Sequence, residues 1–161
     1  MDEGTCLIRF KHAFLALLSD EVTTALYAPP ENYQEIMGDD GVSGACWFDQ
    51  TADADLELKV MGPTPLWMDE TATCGLVIQV VGSTTDDTQE AVDATASDIL
   101  HKALALLFAD PSVGLTDDSI QEFRALPVSW TYDSGATATG AHGARFNVAI
   151  EIMSRLKLEI T

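Results

Sequence analysis

With 161 residues, 47% of them apolar and 21% charged, the chain has the composition of a folded domain rather than a disordered segment, and its length suits one well-filled core. Eight basic side chains stand against twenty-six acidic ones, a formal charge of −18. Such a molecule repels phosphate, which excludes a direct grip on DNA or on an anionic membrane but still lets DNA slide past it.

The same imbalance suits a high-salt environment, where counterions screen self-repulsion; a salt-loving host is one explanation among several. Cys6, Cys46 and Cys74 lie far apart and form no C-x-x-C pair, so they read as small buried hydrophobes of a reducing compartment. The N-terminus is acidic (Asp2, Glu3), and Arg9, Lys11 and His12 interrupt the short apolar run over 7–18. That pattern predicts neither a targeting segment nor a membrane span, hence a soluble protein.

Leu7, Phe10, Phe14, Leu17 and Leu18 stand at helical spacing and predict a first helix over 5–18, laid on a sheet. Residues 22–27, β-branched and aromatic, predict a short edge strand stopped by Pro29-Pro30; a continuation of the helix is the alternative. The acidic stretch 31–41 ends in Asp40-Gly41 and predicts a loop with room for one helical turn. Strands follow over 42–48 and 55–61, separated by a polar turn at 49–54. In the second, Leu56, Leu58 and Val60 alternate with Asp55, Glu57 and Lys59. Gly62-Pro63-Thr64-Pro65 ends this pair, and Leu66, Trp67 and Met68 fall on an irregular link.

The organising stretch comes next: a strand over 73–82, a helix over 86–109 and a strand over 120–132. Within 76–81 only Gln79 is polar, so this strand is expected to be central and covered on both faces. The helix carries Val92, Ala96, Ile99, Leu100, Ala103, Leu104 and Leu107 as one apolar stripe. Asp86 and Asp87, each followed three residues later by Gln89 and Glu90, read as capping boxes, and Asp110-Pro111 is the stop.

The clearest pattern is at the C-terminus. Phe146, Val148, Ile150, Ile152, Leu156, Leu158 and Ile160 alternate with Arg145, Asn147, Glu151, Arg155, Lys157 and Glu159, only Ser154 breaking the apolar row. At about 3.3 Å per residue this is a ribbon of roughly 50 Å, which must bend near Ser154 or project beyond its own sheet. Its expected partner is the run Val128, Trp130, Tyr132, joined to it by residues 133–143 (DSGATATGAHG). A loop of small residues between two good strands is costly to order alone and cheap to order against a neighbour, so it reads as a contact element. Altogether the residues predict a single α/β (α+β) domain: a mixed, mainly antiparallel β-sheet packed by two α-helices, with a β-hairpin or loop extension.

Motifs for chemistry are lacking. There is no phosphate-binding loop or dinucleotide fingerprint, and Gly41-Val42-Ser43-Gly44 lacks the second glycine of a nucleophile elbow at the right spacing. His12, His101 and His142 are isolated. The pairs Asp39-Asp40 and Asp117-Asp118 and the group Asp49, Asp53, Asp55 fit no calcium loop and read as solvated turns. Trp47, Trp67 and Trp130 read as core or interface anchors rather than as a ligand pocket. No catalytic residue, cofactor or metal is expected.

Taken in order, several segments resemble the tail terminators of tailed phages and archaeal tailed viruses, small α/β proteins that cap a tail tube as a ring and join it to the head. They are Leu26-Tyr27-Ala28-Pro29-Pro30, the strand LVIQVVG, the helix DTQEAVDATASDILHKALALLFADPSVGL and the final strand ARFNVAIEIMSRL. The resemblance implies a virion protein of the tail or neck, assembled in the host cytoplasm, without catalysis or cofactor. It further implies a homohexameric ring whose acidic lumen passes DNA without binding it. The implied partners are the tail-tube protein on one side and a head-completion or connector protein on the other. A ring of head-to-tail contacts needs two different complementary surfaces per copy. Asp133, Ser134, Gly135, Thr137, Thr139 and His142 of the loop, with Arg145, Arg155 and Lys157 of the final strand, are the candidates, the strand adding edge to edge across copies. Another neck protein of the same architecture, or a small acidic enzyme or ligand-binding domain of a salt-loving host, are the alternatives.

Overall fold

The computed structural model describes residues 6–31, 42–60, 66–82, 88–115, 120–136 and 141–158. Along the chain run α1 (Cys6–Glu21), β1 (Thr24–Leu26), β2 (Ser43–Val60), β3 (Leu66–Val81), α2 (Gln89–Ala109), β4 (Ile120–Ala136) and β5 (His142–Leu158). The strands form one five-stranded sheet in the order β1-β2-β3-β5-β4. Only β1 with β2 is parallel; the other three neighbouring pairs are antiparallel. The expected α+β architecture, two helices on a mainly antiparallel sheet, is therefore the observed one.

Register decides what each face carries. Ile78 pairs with Cys46 on one side and Phe146 on the other, and Leu76 pairs with Phe48 and Val148, so the even residues of β3 and β5 share one face. Both helices pack there: Phe10, Phe14 and Leu18 of α1 and Val92, Ala96, Ile99, Leu100, Ala103 and Leu107 of α2 join Leu76, Ile78, Val80, Val148, Ile150 and Ile152 in one core. The opposite face carries no helix among the described residues, yet Ala45, Trp47, Val77 and Val81 form a second, smaller apolar cluster with Leu26 against it. Gln79 lies beside this cluster and is 5% exposed. Its Nε2 donates to the carbonyls of Val80 and Ala144, both at 3.2 Å, while its Oε1 accepts from Arg145 Nε at 2.8 Å. A buried amide with such partners costs little, which is why one polar residue fits a central strand.

Helix ends follow local rules with one shift. The N-cap of α2 is Thr88, in extended geometry, whose Oγ1 accepts from Ala91 N at 3.1 Å; the capping boxes expected on Asp86 and Asp87 lie outside the described residues. At the far end Asp110 is the C-cap, as its proline neighbour dictates. Its carboxylate accepts from the backbone and hydroxyl of Ser112, and the chain turns through Val113 and Gly114 at φ of 42° and 72°. A positive φ is costly for a β-branched residue; Val113 is held there by burying its side chain in the core. Gly44 leaves room for α2 to pack on the sheet, since a Cβ there would stand 2.7 Å from Ile99 Cδ1.

Four expectations need correction. Residues 49–54 are not a turn between two strands: β2 is continuous from Ser43 to Val60, and the polar stretch is absorbed as a register shift between Phe48 and Ala52 while pairing with β3 goes on. The bulge tips Asp49 over Gly75, where any side chain would strike its carboxylate. Leu66, Trp67 and Met68 are not an irregular link but the start of β3, paired with Leu158, Lys157 and Leu156. Of the two outcomes expected for the C-terminal strand, projection beyond its sheet is not found through Leu158, because β3 flanks it that far and β4 flanks it from His142 to Leu156. Finally, residues 133–143 are not all loop: Asp133 to Ala136 continue β4, and His142 and Gly143 already belong to β5. Flanking strands of 16 and 17 residues gave the 17-residue ribbon partners throughout. The loop expected at 31–41 and the Gly-Pro stop at 62–65 lie almost wholly outside the described residues.

Two outcomes test this packing. Ile150 is fully buried between Cys74 of β3 and Pro127 of β4, so Ile150→Asp should cost about 4 kcal/mol or more and leave no native circular dichroism. Burial pushes the thiols of Cys46 and Cys74 up to about 12. A thiol reagent at neutral pH should therefore label them only as fast as the protein unfolds globally.

Candidate functional site

Among the described residues no group of three or more His, Cys, Asp or Glu side chains converges on a point where a metal ion could sit. Nor is any helix there long and apolar enough to cross a membrane. Two open grooves mark the surface. One, of about 520 Å³, is lined by residues that include Asp69, Glu70, Phe123, Met153 and Ser154. The other, of about 420 Å³, runs between Pro29, Pro30 and Glu31 and the sheet residues Trp47, Val77 and Arg145. Neither assembles a nucleophile with a base, so the features that call for explanation are elsewhere.

They are the two edges of the sheet. β1 covers β2 at Ala45, Cys46 and Trp47, and among the described residues the rest of β2 is an outer strand. There Leu56 is 62% and Leu58 58% exposed, on the helix-bearing face but beyond the reach of both helices. The opposite edge is β4, where Trp130 is 53% and Tyr132 42% exposed, also on the helix-bearing face, being level with Val148 and Phe146. Phe146 packs on both rings with centroids 5.2 Å away. The Tyr132 hydroxyl donates to Asp93 of α2 at 2.5 Å, which fixes the ring at the rim of the helical layer. Each edge thus carries large apolar side chains on the same face of one sheet. On the other face, Asp53, Asp55 and Glu57 of β2 form an exposed acidic row.

The residues expected to make contacts separate into two groups. Asp133, Ser134 and Gly135 are exposed strand residues of β4, paired with Arg145, Ala144 and Gly143. His142 opens β5, with Nδ1 at 3.1 Å from Oε1 of Gln89. Thr137 and Thr139 lie outside the described residues. Arg145 is turned onto its own chain, toward Gln79 and over Trp47 at 5.9 Å. Arg155 and Lys157 sit at the other end of β5. The Arg155 guanidinium grips Asp69 through two bonds of 2.7 and 3.1 Å, an internal pair rather than a free contact. Nor can β5 add edge to edge to another copy, since β3 and β4 occupy both its flanks. The edges that can are β2 and β4. Of the tryptophans, Trp47 anchors the smaller apolar cluster, Trp67 lies near the far end of β3, and Trp130 stands at the β4 rim, so they build no common pocket.

Sequence periodicity did contain the missed signal, in the alternation of Leu56 and Leu58 with Asp55 and Glu57. It told which side chains share a face and not whether anything covers that face. Compared with known protein families and with curated proteins, the chain matches none.

Asp93 holds the Tyr132 phenol above its ordinary value by accepting its proton's hydrogen bond. Folding is thus aided fully below the unfolded phenol's pKa and loses that aid as pH rises through the folded one. Tyr132 should titrate late in ultraviolet absorbance, and Asp93→Asn should bring it back toward pH 10.

Proposed function

We propose that this protein is a structural ring subunit of a virus tail, acting as a tail terminator that closes the tail tube, meets a head-completion protein, and passes DNA through an acidic lumen. One observation carries the reading. The sheet has helices on one face only and exposed apolar side chains at both outer strands, an arrangement that leaves two different surfaces for head-to-tail contact. Copies joined this way keep the helices outside and turn the helix-free face inward. That face carries more carboxylates than cations: Asp53, Asp55 and Glu57 lie along β2, and of its basic residues Arg124, Arg145, Arg155 and Lys157, two are engaged, Arg155 with Asp69 and Arg145 with Gln79 and Trp47. The net negative balance of such a wall repels phosphate and favours the passage of DNA over its retention. The segments quoted above that resemble tail terminators supply the ring's context and its six copies.

The purified protein should form rings under the electron microscope. Because every copy carries −18, rings should be favoured by raising salt from about 0.1 M toward 1 M, where the screening length falls from about 10 Å to about 3 Å. Added to growing tail tubes, the rings should stop elongation. A protein that stays monomeric at every salt concentration would overturn the assignment, and rings that leave tube growth untouched would point to another neck component.

A further inference from the structure

We propose that neighbouring copies are sewn together by one antiparallel seam, in which residues 52–57 of β2 from one copy lie along residues 129–134 of β4 from the next, with Leu56 opposite Trp130. The inference rests on the ring reading above and adds its register.

Three independent features lead to the same pairing. Direction comes first. β2 is antiparallel to β3, β3 to β5 and β5 to β4, so β2 and β4 point in opposite senses. When copies are related by rotation about a ring axis, the β4 edge of one meets the β2 edge of the next in antiparallel sense. This is the stronger ladder geometry and needs no flipping of the subunit.

The second feature is where each edge can accept a strand. On β2, β1 occupies Ala45 to Trp47 and a register shift follows between Phe48 and Ala52, so regular outer edge begins at Ala52. On β4, register shifts fall between Ile120 and Glu122 and between Pro127 and Ser129, and Pro127 has no N–H to donate. Regular edge resumes at Ser129 and runs to the hairpin. The two usable runs therefore lie toward opposite ends of the sheet. Within one copy Leu56 is level with Glu70, Ser154 and Phe123, whereas Trp130 is level with Val148, Leu76 and Phe48. Joining them displaces each copy by six residues, the distance along β3 from Leu76 to Glu70.

That displacement is what closure demands. Six residues at about 3.3 Å give an offset of about 20 Å for the four strands β2, β3, β5 and β4 that lie between successive seams, spaced about 4.8 Å, which is a strand tilt of about 46°, at the upper edge of the usual range of roughly 35–45° for closed sheets. Level joining would give no tilt, and a twisted sheet does not close without one.

The third feature is side-chain pairing. With Leu56 opposite Trp130, Ala54 meets Tyr132, so exposed apolar groups of both edges cover each other on the helix-bearing face. On the lumen face, Asp55 meets Thr131 and Asp53 meets Asp133. One like-charge pair faces itself across the seam, and screening should tighten the contact.

Single-cysteine substitutions read the register directly, because the native thiols are buried. Leu56→Cys protein mixed with Trp130→Cys protein at 1 M salt and oxidised with diamide should give covalent dimers on a non-reducing gel. Neither variant alone should do so, and the double variant should give a ladder up to the full ring. Asp55→Cys with Arg124→Cys, which would meet only if copies joined level, should give none. As a second readout that spares the apolar residues, Asp53→Lys should lower the salt concentration needed for half-maximal assembly by several-fold. Rings that form without the Leu56–Trp130 cross-link, or with the Asp55–Arg124 one, would overturn this seam and leave the ring itself standing. Failure to assemble at any salt concentration would overturn both.

Discussion

A strand of seventeen residues flanked on both sides by strands of like length admits no adjustment of parity. Once Ile150 and Ile152 point toward the helices, Glu151, Met153 and Arg155 must point away, and every neighbour in the sheet inherits the same division. Both helices lie on one side because the apolar parity of β3 and β5 is shared, and the core they close runs from Phe10 and Phe14 through Phe48 to Ile152. The helix-free face is then left to build with what remains: a small cluster around Trp47 and Val77, Gln79 with all its polar atoms engaged, and carboxylates farther along β2.

Length produces the second consequence. A helix of 21 residues spans about 32 Å, while strands of 16 to 18 residues run past 50 Å, so the helical layer cannot shelter the whole sheet. It reaches Ile120 and Leu156, which are buried, but not the outer strand β2 at Leu56 and Leu58. Soluble monomers usually keep outer strands short or charged on both faces. Here an apolar row is exposed on one face of β2 and an acidic row on the other. That combination is unfavourable for a chain that remains alone and useful for one that meets a neighbour and leaves its acidic row facing water. The devices that usually prevent unwanted pairing, a proline and register shifts, are present on β4 and interrupt only part of it. In the proposed ring they act as a register key, limiting where a second copy can add.

In the proposed ring, charge would govern assembly and passage alike. A copy that repels its own kind at low salt must gain enough from the seam to associate, which ties assembly to ionic conditions. The same surplus of carboxylates would, in that proposed ring, repel a passing polyanion.

Much of this was legible from residues alone. The fold class, the two helices, the central position of 76–81, the stop at Asp110-Pro111 and the parity of the last strand all follow from local chemistry: periodicity, proline geometry and the cost of burying charge act within a few residues of one another. What needed the tertiary structure was every question of partnership. The polar stretch 49–54 looks like a turn because its composition is that of a turn, and it is a bulge because β3 continues beside it. Residues 66–68 look irregular after two prolines, and they are strand because β5 extends far enough to pair with them. Arg155 and Arg145 look available, and both are engaged by groups more than sixty positions earlier. Strand order decides which edges are open, and strand order is a matter of long-range contacts. Local sequence determines what a residue can do, while the neighbours brought in from afar determine whether it is free to do it.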